Sequence, residues 1–270
     1  MERLLITVKI PRSSYYYHLK HLCESVKHDS ERDEIQKICV ENKGRYGYRR
    51  VTIELHRRGF QTNHKLVLKL MKQYHLTCML RQKKYRSYRG EVGKIAPNLL
   101  KRDFKANIPN LKWTTDVTEF KLFGQKIYLS PIMDLFNGEI ISYSFSTNPS
   151  FNQITEMLNS AFQKIPDNTH LILHSDQGWQ YQMKPYQKML KDKGIRQSMS
   201  RKGNCYDNCV IENFFGLLKS ELYTNQKFFS IDQFKQELSE YIDYYNNRRI
   251  KVELKGLSPV QFRTQSFVST

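Results

Sequence analysis

The sequence predicts an α/β protein: an N-terminal helical region, then a mixed five-stranded sheet flanked by helices. Three observations carry that expectation. Apolar residues recur at helical spacing between Glu31 and Leu80. Runs of β-branched and aromatic residues, broken by turn residues, take over from Leu111. From Phe151 onward, strand-like runs alternate with amphipathic helical stretches. At 270 residues the chain is long for one compact unit and predicts two.

Residues 1–30 form an N-terminal segment with a short aromatic stretch, Tyr15-Tyr16-Tyr17. Ile35, Ile38 and Cys39 mark the apolar stripe of a first helix. Gly44 and Gly47 break the chain in Lys43-Gly44-Arg45-Tyr46-Gly47-Tyr48-Arg49-Arg50 before a second helix through Val51, Ile53 and Leu55, which Gly59 stops. Thr62 or Asn63 can cap a third helix. There Val67, Leu70, Met71 and Tyr74 form the inner face, and Lys65, Lys69 and Lys72 lie off it. Helix, glycine turn, helix with a basic outer side is a helix-turn-helix pattern, assigned here to 31–90. A plain helical bundle with solvated lysines is the alternative. Candidate DNA contacts are Arg45, Arg49, Arg50, Lys65, Lys69 and Lys72. Arg81 to Lys105 holds nine basic residues, with Tyr85 and Tyr88 interleaved, and reads as a linker lying on DNA, with its basic linker segment at 91–107.

The segment 108–225 reads as the second domain. Trp113 to Leu122, Lys126 to Met133 and Ile140 to Phe145 are three strands of an antiparallel meander. Phe123-Gly124-Gln125 makes the first turn, and Asn137-Gly138 is a strong hairpin signal. Phe151 to Ile165 is a helix with Ile154, Met157, Leu158 and Ala161 inward, ended by Pro166. A strand at His170 to His174, a helix at Tyr186 to Lys191 and a strand at Ile195 to Met199 follow. Ser200 to Asn204 is polar and is expected to be mobile. Helices follow from about Asn208 to Leu222 and from Ile231 to Asn247, the latter in a C-terminal helical tail at 226–270. This order of strands and helices is the ribonuclease H-like arrangement.

Charge points to a polyanionic partner. Net charge is +18, and Asn42 to Lys105 alone holds 18 basic and 3 acidic residues. Nucleic acid is the default reading of such a block, because each neutralised phosphate releases counterions. No run of 18 or more apolar residues appears, so no membrane span is expected. Met1 to Ile10 is too short and too mixed in charge for a signal-peptide core. Five cysteines without regular spacing do not suggest a disulfide framework, and a reducing compartment fits better. Cys205 and Cys209 lack the further ligands of a zinc site and read as packing residues.

Three acids stand out against this background. Asp116 lies inside a predicted central strand, where a carboxylate is costly unless paired or metal-bound. Asp176 directly follows the fourth strand, at the end where α/β sheets present ligands. Glu212 lies on a helix whose stripe is Ile211, Phe214, Phe215, Leu218 and Leu222. At about 100° per residue, Glu212 and Lys219 fall together at the edge of that stripe, two turns apart. Hard divalent ions require oxygen ligands, and transfer of a phosphodiester by two such ions needs several converging carboxylates. Each acid alone also has an ordinary reading: a hydrogen-bonded strand residue, a turn residue before glycine, a helix-surface acid. Asp134 could approach Asp116 but reads as structural, as does His174. Arg201 and Lys202 could close over DNA, and Trp179 could stack on a base or simply pack.

Asp116, Asp176, thirty-five intervening residues, Glu212 and then Lys219 resemble the signature of the DDE polynucleotidyl transferases, which retroviral integrases share. The likeness is closer still. Gly44-Arg45-Tyr46-Gly47-Tyr48-Arg49-Arg50, Trp113-Thr114-Thr115-Asp116-Val117-Thr118, His174-Ser175-Asp176-Gln177-Gly178-Trp179-Gln180-Tyr181, Ser198-Met199-Ser200-Arg201-Lys202-Gly203-Asn204-Cys205-Tyr206-Asp207-Asn208 and Tyr244-Tyr245-Asn246-Asn247-Arg248-Arg249 resemble the second-frame (OrfB) product of the insertion sequence three family, over about residues 10–265. That resemblance implies a ribonuclease H-like core with two Mg²⁺ ions (or Mn²⁺) on the three acids. It also implies hydrolysis of a phosphodiester to free a 3′-OH, which then attacks a second one. The implied setting is bacterial: cytoplasmic, at the nucleoid, on terminal inverted repeats and target DNA, as a homo-oligomer. The family's complete enzyme carries an upstream frame with a helix-turn-helix and a leucine zipper. No sustained heptad appears in this chain, so an upstream-frame (OrfA-like) partner or fusion is expected. A metal nuclease that cuts without joining and a non-catalytic DNA-binding relic are the alternatives.

Overall fold

A computed structural model describes residues 11–17, 28–76, 78, 94–202, 204–224 and 226–268. The part of the basic linker that carries Tyr85 and Tyr88 lies outside the described residues. The chain divides into two compact units, Met1–Met79 and Leu80–Thr270.

The core of the first unit lies between α1 (Asp29–Glu41), α2 (Tyr48–Arg57) and α3 (His64–Gln73). Ile35, Ile38, Val51, Leu55 and Val67 are fully buried between them. Gly59, at φ +87°, turns the chain out of α2 in a conformation that costs glycine little. Asn63 then caps α3 by accepting the Lys65 N–H. Arg58 binds Glu34 of α1, Glu54 of α2 and Glu41 at the end of α1. Three of the unit's acids are thereby gathered on one arginine.

The second unit is a sheet with helices on both faces. Its strands are β1 (Lys112–Thr115), β2 (Thr118–Leu122), β3 (Gln125–Asp134), β4 (Ile140–Ser146), β5 (Ile172–Ser175) and β6 (Arg196–Met199). Across the sheet run β4, β3, then β1 and β2 end to end, β5 and β6. The β3 strand is antiparallel to β1, β2 and β4, and β5 and β6 run parallel to β1. The sheet thus has six strands, not the five expected, because the first predicted strand is cut in two. Thr115 lies opposite Ile132 and Thr118 opposite Leu129, so both halves keep one register on β3. Only Asp116 and Val117 leave the ladder, and there the Asp116 carboxylate, rather than a strand carbonyl, accepts the Val117 N–H.

The turns also differ from expectation. The two-residue hairpin is Phe123-Gly124, with both residues at positive φ. At Asn137-Gly138 only the glycine is left-handed, and the chain makes a longer turn in which Asp134 bonds to both Gly138 and Glu139. The Asn137 amide is engaged instead with the Pro259 carbonyl.

Helix α4 (Phe151–Phe162) packs on β3 and β4, and α5 (Trp179–Gln182) and α6 (Lys184–Asp192) follow β5. The core on this face includes Trp113, Ile132, Met157, Leu158, Leu173 and Tyr186. Helix α7 (Cys209–Leu218) covers the other face. It does not continue to Leu222 as an α-helix: Lys219–Tyr223 is a π-helical turn. That turn inserts Glu221 into the interior, where its carboxylate accepts Arg249 Nε (3.0 Å), Arg249 Nη2 (2.7 Å) and Tyr241 Oη (2.9 Å). Arg249 follows α8 (Ile231–Asn247), and α9 (Pro259–Val268) closes the chain. Asn246 brackets Ile140 like a strand partner, accepting its N–H and donating to its carbonyl, both at 2.9 Å. The C-terminal helices are thus bonded directly to the sheet and to the end of α7.

Removing one member of a buried ion pair leaves the other charge uncompensated, at a cost of about 3–5 kcal/mol. Arg249→Met is expected to destabilise the second unit by about that much in denaturant unfolding, and adding Glu221→Met is expected to recover most of the loss.

Candidate active site

Strands β1 and β5 are parallel neighbours, with Thr114 beside His174. Side chains alternate along a strand, so Thr114 and Asp116 share a face with His174 and Asp176. Two residues beyond the paired positions, the chain brings the two aspartates side by side. Glu212, half-buried in the first turn of α7, is brought to the same face.

Asp116 is held by neutral donors. Its Oδ1 accepts the Val117 N–H at 2.7 Å, and its Oδ2 accepts the Asn208 amide at 3.2 Å. Asp176 accepts the Gly178 N–H at 2.8 Å. A Cβ at position 178 would stand 2.9 Å from that carboxylate oxygen and 2.6 Å from the Gln180 amide, so a side chain there would displace both groups. Burial pushes the pKa of Asp116 well up, and the neighbouring charges of Asp176 and Glu212 push it further. Burial likewise raises Asp176. Glu212 is raised by burial and by Asp176. The three acids therefore share one electrostatic neighbourhood. Among the described residues, no three His, Cys, Asp or Glu side chains are drawn closely enough together to hold a metal as they stand.

The fully buried acids of this unit are treated differently. Asp207 takes Arg102 and Arg201, Glu221 takes Arg249, and Asp134 takes Arg263. Among the described residues, Asp116, Asp176 and Glu212 form no ion pair with Lys or Arg. Lys219 favours the charged form of Asp116 from a distance, with its ammonium 5.3 Å from the centre of the Phe120 ring. Because α7 gives way to the π turn at Lys219, the straight-helix extrapolation from Glu212 ends at that residue.

Several expectations need correction. Asp134 pairs across from Trp113, at the far end of β1, and is bound by the Asn110 and Phe136 N–H groups and by Arg263, so it does not approach Asp116. Arg201 does not project as a free arm: its guanidinium grips Asp207 with Nε at 2.9 Å and Nη2 at 3.0 Å. That grip, with a Ser200 N–H bond to the Ser175 carbonyl, anchors Ser200 and Arg201 at the start of the loop expected to be mobile. Arg45 is buried, which removes it from the exposed surface. Arg49 and Arg50 lie against the Tyr48 and Tyr46 rings. Lys65, Lys69, Lys72 and Lys202 are exposed. His174 has the structural role expected of it: its ring bonds Ser198 Oγ and the Asp207 carbonyl, both at 2.8 Å, and burial lowers its pKa. Trp179 is 48% exposed and borders an apolar cavity of about 180 Å³ with Val117, Tyr128, Pro149 and Gln153. Sequence reasoning missed Asp207, Asn208 and Arg102. The one available signal was an Asp-Asn pair just before an apolar helical run, which is a helix-start pattern.

Comparison with known proteins agrees with this architecture. Family models described as "Integrase core domain" match residues 106–205 and 212–267, and one described as "HTH-like domain" matches 27–84. The chain is 54% identical over 268 residues to the putative transposase InsK for insertion sequence element IS150 of Escherichia coli (strain K12), covering 99% of this chain and 95% of that protein. It is 31% identical over 269 residues to the transposase InsF for insertion sequence IS3A of the same organism, covering 96% and 92%. Among solved structures, a chain of the simian T-cell lymphotropic virus intasome in complex with PP2A regulatory subunit B56 gamma is similar at 17% identity. Its TM-score is 0.51, with 85% of this chain and 74% of that chain covered, a likeness of fold alone.

Carboxyls whose pKa the fold raises hold protons that the unfolded chain has already released at the same pH. In chelator, stability therefore falls as pH climbs from the ordinary carboxylate range, about 4, through the raised values. Asp116→Asn removes one such charge. Its metal-free melting temperature is expected to exceed that of the wild type near pH 7, with the difference vanishing near pH 4; thermal melts across this range check it.

Proposed function

The chain belongs to the insertion sequence three family of transposases, and from that premise we propose that it cuts and joins DNA at the ends of a bacterial insertion sequence, with Asp116, Asp176 and Glu212 as the catalytic acids. The observation that carries this reading is a contrast among the acids of this unit. Three fully buried ones are matched with arginine, whereas the half-buried pair at the ends of β1 and β5 has, among the described residues, neutral hydrogen-bond donors and no ion pair. Buried like charges without a counter-cation repel one another and take up protons unless a cation is supplied. An all-oxygen donor set suits a hard ion, Mg²⁺ or in its place Mn²⁺, and not zinc. Such ions, two in this reading, activate the attacking oxygen and stabilise the leaving one when bound.

The protein's own contribution is placement. The sheet fixes Asp116 and Asp176 as rigid strand ends, and α7 carries Glu212 over them. Water's oxygen bonds to phosphorus at an element end, and the departing 3′-oxygen takes a proton. The freed 3′-hydroxyl then bonds to phosphorus in target DNA, whose own 3′-oxygen leaves. Lys219 holds a DNA phosphate beside the acids. The exposed Lys65, Lys69 and Lys72 of α3 engage the DNA backbone. In this reading, 31–90 and the linker 91–107 hold DNA, and 108–225 performs the chemistry with 226–270 bracing it. An upstream-frame partner or fusion supplies recognition of the inverted repeats, and the active form is a homo-oligomer on DNA. The setting is the bacterial cytoplasm, at the nucleoid; no helix among the described residues is long and apolar enough to cross a membrane.

Asp116→Asn, Asp176→Asn and Glu212→Gln are each expected to remove several kcal/mol of transition-state stabilisation, roughly a thousandfold or more in rate, while DNA binding persists. Labelled element ends and target DNA in Mg²⁺ check this. Cleaved products without joined ones in the wild type would instead mark a nuclease, and activity retained by Asp116→Asn would overturn the site. Replacing Lys65, Lys69 and Lys72 together with alanine is expected to flatten the dependence of log K on log salt by roughly 0.9 per lost phosphate contact, measured by fluorescence anisotropy.

A further inference from the structure

The 3₁₀ turn Cys205–Asp207 and the residue that follows it form a rigid bridge between the sheet and α7. Asp207 is anchored from four sides. Arg201 and Arg102 bind its carboxylate, Asn98 donates to it at 3.0 Å, and His174, itself buried, bonds its carbonyl. The next residue, Asn208, is 3% exposed and spans two elements. Its Oδ1 accepts the Thr114 hydroxyl at 3.0 Å, and its Nδ2 donates to Asp116 Oδ2 at 3.2 Å. Its backbone carbonyl accepts the Glu212 N–H, one turn into α7.

We propose that Asn208 is a positioning residue for the metal-binding carboxylates, one that sets the plane of the Asp116 carboxylate and fixes Glu212's helix against it. The proposal rests on the reading of Asp116, Asp176 and Glu212 as the metal-holding acids and goes beyond it. The Val117 N–H takes one Asp116 oxygen and Asn208 the other, so the carboxylate cannot rotate without breaking a hydrogen bond. Each oxygen keeps lone-pair capacity for a cation. An amide is the right chemistry for this task. It orients the carboxylate by donating a proton yet brings no positive charge to compete with a dication, as the arginines on Asp207, Glu221 and Asp134 would. Thr114, donating to the amide oxygen, fixes which end of the amide faces Asp116.

The test measures Mn²⁺ binding to the full chain by calorimetry in the absence of DNA, beside thermal melting. Asn208→Leu removes both side-chain hydrogen bonds at similar volume and is expected to weaken Mn²⁺ affinity roughly 10–100-fold, the usual consequence of losing a partner that orients a metal ligand. Asn208→Gln, which keeps an amide donor, is expected to recover part of that loss. Thr114→Val removes only the anchor of the amide oxygen, and a several-fold weakening with the melting temperature within a few degrees of wild type is expected. Wild-type Mn²⁺ affinity in folded Asn208→Leu overturns the proposal. Should Asn208→Leu not fold, wild-type affinity in Thr114→Val overturns it equally. Asp116→Asn separates this inference from the reading beneath it. If that variant loses Mn²⁺ binding while Asn208→Leu keeps it, only the role of Asn208 fails; if Asp116→Asn binds Mn²⁺ as wild type does, the acidic site itself fails.

Discussion

The architecture depends on a costly electrostatic choice: two half-buried carboxylates are set at the ends of adjacent parallel strands, and among the described residues no arginine or lysine forms an ion pair with either. Desolvation and mutual repulsion both act against their charged forms, and the sheet nonetheless holds them together. A fold tolerates such a pair only if the surrounding frame is strong enough to bear it. The frame here is a well-packed sheet whose core residues Trp113, Ile132, Met157 and Leu173 are essentially inaccessible to water.

Around that pair the chain distributes its cations selectively. Arg102 and Arg201 go to Asp207, Arg249 to Glu221 and Arg263 to Asp134, each serving as internal bracing. Asp116, Asp176 and Glu212 instead act on one another electrostatically. Despite a net charge of +18, no described lysine or arginine forms an ion pair with the acids of the site. In the proposed reading, a strongly basic protein keeps in this way an acidic site for metal ions within a surface able to attract phosphates.

Much of this was legible in the sequence. The helix starts and stops, the meander, the neighbouring aspartates and the buried stripe of α7 all follow from periodicities that report burial directly. What escaped were features decided by long-range partners. Nothing local to Trp113–Leu122 says that the ladder opens at Asp116. No helical periodicity forecasts the π turn at Lys219, which is held by an arginine 28 residues away from Glu221. Arg45 looked like a DNA contact because charge is visible in sequence and burial of a charge is not; Arg201 is exposed, and its pairing with Asp207 is a contact that sequence does not display. The Asn137-Gly138 signal overstated a tight hairpin, because the Asn137 side chain is engaged by the Pro259 carbonyl, 122 residues away.

The clasp made by Asn246 and Arg249 bears on how the molecule can be dissected. Asn246 closes the backbone groups of Ile140 on the outermost strand, and Arg249 neutralises an acid at the end of the helix that carries Glu212. An excised catalytic core ending at residue 225 would lose both at once. It would present an open sheet border to other copies of itself and carry an orphaned negative charge in its interior, a fragment inclined to self-associate and precipitate. The boundary of the foldable enzyme unit lies beyond that arginine, which sets where the gene can be cut for biochemical work and where evolution can join it to new partners.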